Sequence, residues 1–251
     1  MITEYAKKIS RGARELGIKE GDVLLVHSSL KSLGDRNISP KDVIDGLRDC
    51  LGENGTLVFP TLSYEECGKH NTTFDYVKTP CCVGAIPEYF RTSVEGAVRS
   101  LCPTHSCAAI GKDAEYITKD HHKDTTPCGP NSPFRRVMEL GGKILFLGCG
   151  NNCNTSMHAV EELVEPDYLY GDSVEYDLID KDGSIKKMNC RSHGFKGVSQ
   201  CYYRAVPLLE GDEYKNGYIL KAECHLLDAK ALWTKAEKKY REDNHYFIDF
   251  I

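Results

Sequence analysis

Residues 143–148 read Lys-Ile-Leu-Phe-Leu-Gly, a run too short for a helix and apolar at successive rather than alternate positions. A strand of that kind is covered on both faces, which places helices above and below the sheet that contains it. Two further runs share the pattern, Asp22 to His27 and Thr56 to Pro60. Helical signals fall between such runs. Ser39 caps a helix, Pro40 takes its first turn, Val43, Ile44 and Leu47 supply the apolar stripe, and Gly52 ends it. The spacing predicts further helices at 84–91, from 113, at about 155–164 and at about 227–242, the last with Asp228 in its first turn. An N-terminal helix carries Ile2, Tyr5, Ile9 and Ala13 near one face. Additional strands are expected at 108–110, 173–179 and 217–222, and a long loop from Ser63 to about Cys82. Strands alternating with helices, the later strands hairpin-like, imply an α/β layered fold with a mixed sheet. No linker, repeat or low-complexity stretch interrupts the chain, so one domain over residues 1–251 is expected.

Charge narrows the partners. Thirty-two Lys and Arg against 37 Asp and Glu give a formal net charge of −5, which argues against nucleic acid and suits a cationic small molecule. The N-terminal segment lacks a signal-peptide core, and no apolar run approaches a membrane span. A cytoplasmic protein without a membrane partner is expected, and its 12 cysteines then read as reduced thiols.

Three segments carry polar groups suited to chemistry. After the strand at 143–148, a Gly and Asn loop with Asn154 or Thr155 as cap feeds an amphipathic helix. Met157, Val160, Leu163 and Val164 fall on one side, and His158, Glu161, Glu162 and Glu165 on the other. A histidine beside a carboxylate at the mouth of a strand has the makings of a general base; the bland alternative is an exposed histidine on a solvated acidic face. The second segment, Arg99, Ser100, Leu101, Cys102, Pro103, Thr104, His105 and Ser106, could hold phosphates through its arginine and hydroxyls, or be an ordinary loop. The third is the small polar loop Ser28, Ser29, Leu30, Lys31, Ser32, Leu33 and Gly34, which follows a buried strand and offers backbone N–H groups, without the spacing of a P-loop.

These segments, quoted as GDVLLVHSSLKSLG, RSLCPTHS and KILFLGCGNNCNTSMHAVEE, occur in an order that resembles the aminoglycoside 3-N-acetyltransferase family, and the similarity runs over nearly the whole chain. The resemblance implies a three-layer α/β/α sandwich with a mixed central sheet, acetyl-CoA as cosubstrate and no metal. It implies an acyltransferase that acetylates an amine, in the first instance the 3-amino group of a 2-deoxystreptamine aminoglycoside. By the same resemblance His158 is the general base and Glu161 its orienting carboxylate. Ser28 through Gly34, with Arg99, Ser100, Thr104, His105 and Ser106, correspond to the CoA-binding segments. Asp75 corresponds to the acidic position of the acceptor loop, and Glu162 would join it in holding ammonium groups. Departures from the family pattern are Tyr76 for the usual proline, Cys102 for the usual histidine, and Cys81, Cys82 and Cys107 for commoner small or apolar residues. Another amino sugar or biosynthetic amine is the alternative acceptor. Two other chemistries remain open: a cysteine nucleophile, with Cys107 near His105 or Cys153 near His158, and a structural zinc site from Cys149, Cys153, Cys190 and His193.

Overall fold

The structure is a computed structural model that describes residues 2–251. Its strands are β1 (Val23–Ser28), β2 (Thr56–Pro60), β3 (Thr73–Asp75), β4 (Val98–Arg99), β5 (Cys107–Gly111), β6 (Lys143–Leu147), β7 (Tyr170–Ile179), β8 (Ile185–His193), β9 (Val198–Gln200), β10 (Tyr214–Ile219), β11 (Ala222–Asp228) and β12 (Ile248–Phe250). Its helices are α1 (Glu4–Leu16), α2 (Pro40–Leu51), α3 (Ala85–Ser93), α4 (Ala114–Thr118), α5 (Pro133–Glu139), α6 (Met157–Val164) and α7 (Ala229–Glu242).

Seven strands form the main sheet in the order β10-β11-β6-β1-β2-β5-β4. The central strand β1 runs parallel to β2 and β6, and the outer pairs are antiparallel, so the sheet is mixed. The uniformly apolar runs lie at its centre, with side chains alternating between two cores. Leu24, Val26, Leu145 and Leu147 meet residues of α1 and α2 on one face; Leu25, Ile144 and Phe146 meet residues of α5, α6 and α7 on the other. That is the three-layer α/β/α sandwich. A second sheet, β3-β7-β8, and a two-stranded pair, β9-β12, are appended to it.

Local signals account for most element ends. Ser39 and Asp42 form a reciprocal capping box at the start of α2, and Asp228 accepts from Ala231 N at the start of α7. Two expectations need correction. Residues 217–222 are not one strand but the end of β10, a tight turn and the start of β11. The helix expected from about 155 begins at Met157, because a 3-10 turn at Asn151–Cys153 precedes it. No described helix is long and apolar enough to cross a membrane.

Candidate active site

Parallel pairing sets β1 and β6 in register, with Ser28 opposite Leu147, so both strands release their chains at one edge of the sheet. Gly148 turns β6 out of the sheet at φ +70°, where a Cβ would lie 2.4 Å from Ser32 Cβ. The close approach clasps the two loops: Ser32 Oγ donates to Gly148 O at 2.7 Å. Between these loops, the 104–105 turn and β8 lies a cavity of about 940 Å³. His27, Ser28, Thr104, His105, Cys149, Cys153, His158, His193 and Tyr202 are among its lining residues. It sits outside the carboxyl ends of the parallel strands, where open α/β sheets bind ligands.

His158 projects into this cavity from the first turn of α6. Its Nδ1 lies 2.9 Å from Glu161 Oε2 and 2.8 Å from the Tyr202 hydroxyl. A carboxylate only accepts, so in the neutral ring Nδ1 carries the proton and Nε2 the lone pair. Glu161 is 0% exposed, and its other donors are all tyrosines: Tyr202 at 2.8 Å on Oε2, Tyr168 at 3.1 Å and Tyr240 at 3.0 Å on Oε1. Burial, then the neighbouring Glu161 charge, pushes the Tyr202 and Tyr240 hydroxyls well above the ordinary phenol range, which keeps them donors. The solvated acidic face is therefore ruled out: α6 is buried on its polar side as well.

Two more histidines stand beside the dyad. Ring centroids of His105 and His193 lie 5.6 and 5.1 Å from that of His158, and 5.0 Å from each other. Burial, followed by the neighbouring imidazoles, holds His105 well below the usual histidine range. His193 is lowered chiefly by burial, against a bond from Nε2 to Glu162 Oε1 of 2.7 Å. His27, stacked on Phe146, is pushed down to about 3 by burial.

The sequence-expected residues divide into those the cavity gathers and those it does not. Ser28, Thr104, His105 and His158 line it, and Glu161 backs His158. In the loop after β1, Ser28 Oγ is buried without a partner, Ser29 N–H is spent on Leu147 O at 2.8 Å, and Leu30–Leu33 coil into a 3-10 turn ended by Gly34. Lys31 lies in that turn, outside the cavity.

Arg99 is turned into the protein. It is 5% exposed, and all five N–H groups are used: Nε on Ser106 Oγ, Nη1 on Tyr76 O and Thr79 O, Nη2 on Thr61 O and Ser63 Oγ. Burial lowers it to about 10. Ser106 is held in that knot, and Ser100 is buried against His121 Nδ1 at 3.0 Å. Asp75 accepts from Val77 N and Lys78 N and caps its own turn away from the cavity. Glu162 is equally committed, to Thr126 Oγ1, Cys128 N and His193, and does not line the cavity. Arg99, Ser100 and Ser106 are thus bonded within the protein, and Asp75 and Glu162 stand outside the lining of the cavity.

The cysteine alternatives also change. Cys107 is 0% exposed, outside the cavity, and its thiol is pushed well up by burial, so it is no nucleophile. Cys153 lines the cavity and its thiol is lowered by the neighbouring Cys149, while His158 Nδ1 is committed to Glu161 and Tyr202. The four-ligand set of Cys149, Cys153, Cys190 and His193 does not assemble among the described residues.

A mixed sandwich with a carboxylate-backed imidazole at its strand ends has matching relatives. A family model described as aminoglycoside 3-N-acetyltransferase matches residues 25–241. Aminoglycoside N(3)-acetyltransferase III of Salmonella sp is 26% identical over 253 residues, 91% of this chain and 88% of that protein. Aminoglycoside N(3)-acetyltransferase VII of Streptomyces paromomycinus is 32% identical over 176 residues, 63% of this chain and 60% of that protein. Among solved structures, an aminoglycoside acetyltransferase in complex with a gentamicin superposes with TM-score 0.80 at 27% identity, covering 98% of this chain and 92% of that one. AAC-IIIb, binary with CoASH, gives TM-score 0.82 at 25% identity, covering 94% and 96%. Fold and sequence together define an acyltransferase. The chain belongs to the aminoglycoside 3-N-acetyltransferase family.

Proposed function

We propose that this protein moves an acetyl group from acetyl-CoA to a primary amine, with His158 as general base. The observation that carries the reading is the His158–Glu161 pair, whose geometry directs the bare Nε2 into the cavity. The free amine attacks the thioester carbonyl, and Nε2 takes the proton the nitrogen sheds as the C–N bond forms. The tetrahedral intermediate collapses with loss of CoA thiolate, which accepts that proton from the imidazolium. Glu161 fixes the tautomer and stabilises the cation between these steps. Ser28 Oγ, which lines the cavity without a partner, is the candidate donor to the developing oxyanion.

For the acceptor, the names of the relatives support the 3-amino group of an aminoglycoside. One observation favours a second reading, an amino sugar with a single ammonium group. Among the described lining residues there is no carboxylate, and the one full charge is Lys69, itself paired with Asp172. Ammonium groups beyond the reacting one would lack charge-assisted partners there, each worth about 1.5–3 kcal/mol. A thiol-release assay with acetyl-CoA against gentamicin, sisomicin and monoamino sugars separates the two. Turnover of the aminoglycosides establishes the first reading; turnover of monoamino sugars alone establishes the second; no thiol release with any amine would sink both.

Donor binding has its own expected result. Saturating acetyl-CoA raises the thermal midpoint, by about 2.7 kcal/mol of stabilisation at a hundredfold excess over Kd. Calorimetry with CoASH checks it, and silence in both measurements would remove the donor from the proposal.

A further inference from the structure

The three imidazoles at the cavity floor arrive from separate parts of the chain: His105 from the turn before β5, His158 from α6 and His193 from the last residue of β8. One nitrogen of each lies within 4.8 Å of the others. The remaining ring nitrogens are occupied by outward partners. His158 Nδ1 is held by Glu161, His193 Nε2 by Glu162, and His105 Nδ1 lies 2.9 Å from Thr104 Oγ1, which can accept its proton. Each ring thus keeps one nitrogen outside these contacts, and His193 Nδ1 is buried with no partner at all. Carboxylates behind imidazoles that share a focus are the outer shell typical of histidine-bound metal.

We propose that His105, His158 and His193 bind one borderline divalent transition-metal ion, zinc before others, with the fourth position open to the cavity. Three neutral nitrogens with an open position match zinc and cobalt(II) and disfavour magnesium and calcium, which take oxygen ligands. Tetrahedral bonds of about 2.1 Å set the nitrogens about 3.4 Å apart, within reach of rings whose nitrogens already lie inside 4.8 Å of one another. The ion uses the same Nε2 lone pair that proton removal requires, which makes metal binding and the base role of His158 alternatives rather than partners.

The test reads the metal itself and so stands whether or not the acetyl-transfer reading holds. Chelator-treated protein is titrated with Co²⁺, followed by visible absorption and by competition with Zn²⁺. One equivalent should bind with the intense bands of a four-coordinate ion. Cys149→Ser/Cys153→Ser and Cys128→Ser should leave the bands unchanged. The second control matters because Cys128, Glu162 and His193 form another close group. His105→Gln should weaken binding by more than the roughly 10–100-fold that losing an outer partner costs. His193→Ala should do the same, but it also strands Glu162, so circular dichroism must first show it folded; His105→Gln carries the test if it is not. Absence of bands in the parent protein, their survival in His105→Gln, or their loss in Cys128→Ser would overturn the proposal.

Discussion

His158→Ala should lower acetyl transfer by about 10²–10⁴-fold, the usual contribution of a positioned general base. The affinity for CoASH should stay near that of the parent, since the imidazole is assigned to proton removal. Single-turnover thiol release, with a chelator present, and calorimetry with CoASH measure the two quantities. The variant should also fold. His158 is partly exposed to the cavity, and its loss leaves Glu161 with three tyrosine donors. Near-parent turnover would move the base to His105 or His193. An unfolded variant would return His158 to a purely structural role.

Glu161→Ala should be costly in a different currency, stability. The substitution leaves the hydroxyls of Tyr168 and Tyr240 beside a buried space without their acceptor, while Tyr202 can turn to His158 Nδ1. A buried donor left unsatisfied costs about 1–3 kcal/mol, so two of them can remove about 2 kcal/mol or more, a large share of the roughly 5–15 kcal/mol of a typical domain. Tyr240→Phe removes one donor and leaves the carboxylate satisfied by the others, so its cost should stay near about 1 kcal/mol. Urea unfolding of both variants compares them. Equal, small losses would mean that the tyrosine cluster does not hold the carboxylate in place.

The sandwich was legible because its central strands are covered on both faces: β2 was read at its observed bounds, and β6 to within its final glycine. The dyad was legible because His158 and Glu161 lie one turn apart on one short helix. What escaped was everything assembled across distance. β8 alternates Lys, Asn and Arg with buried Met188 and Cys190, and so reads as polar chain although Asp182-Gly183 marks the hairpin turn before it. With β8 unread, His193 had no address, and neither did the hydrogen bond that occupies Glu162. Tyr202 escaped for the same reason, on a 3-10 segment without a periodic signal. Arg99 shows an ambiguity of the opposite kind. Hydroxyl-rich neighbours look alike in sequence whether they surround a ligand's phosphate or the protein's own carbonyls.

That arrangement of Arg99 bears on the order of assembly. Its five bonds join residues 61, 63, 76, 79 and 106, separated from it by 7 to 38 positions, and none forms until those segments are already in place. If they form on the late side of the folding barrier, Arg99→Lys should leave the rate of folding almost untouched and speed unfolding, which stopped-flow kinetics checks. The arginine would then act as a latch on the β4 edge, its worth read in native-state lifetime.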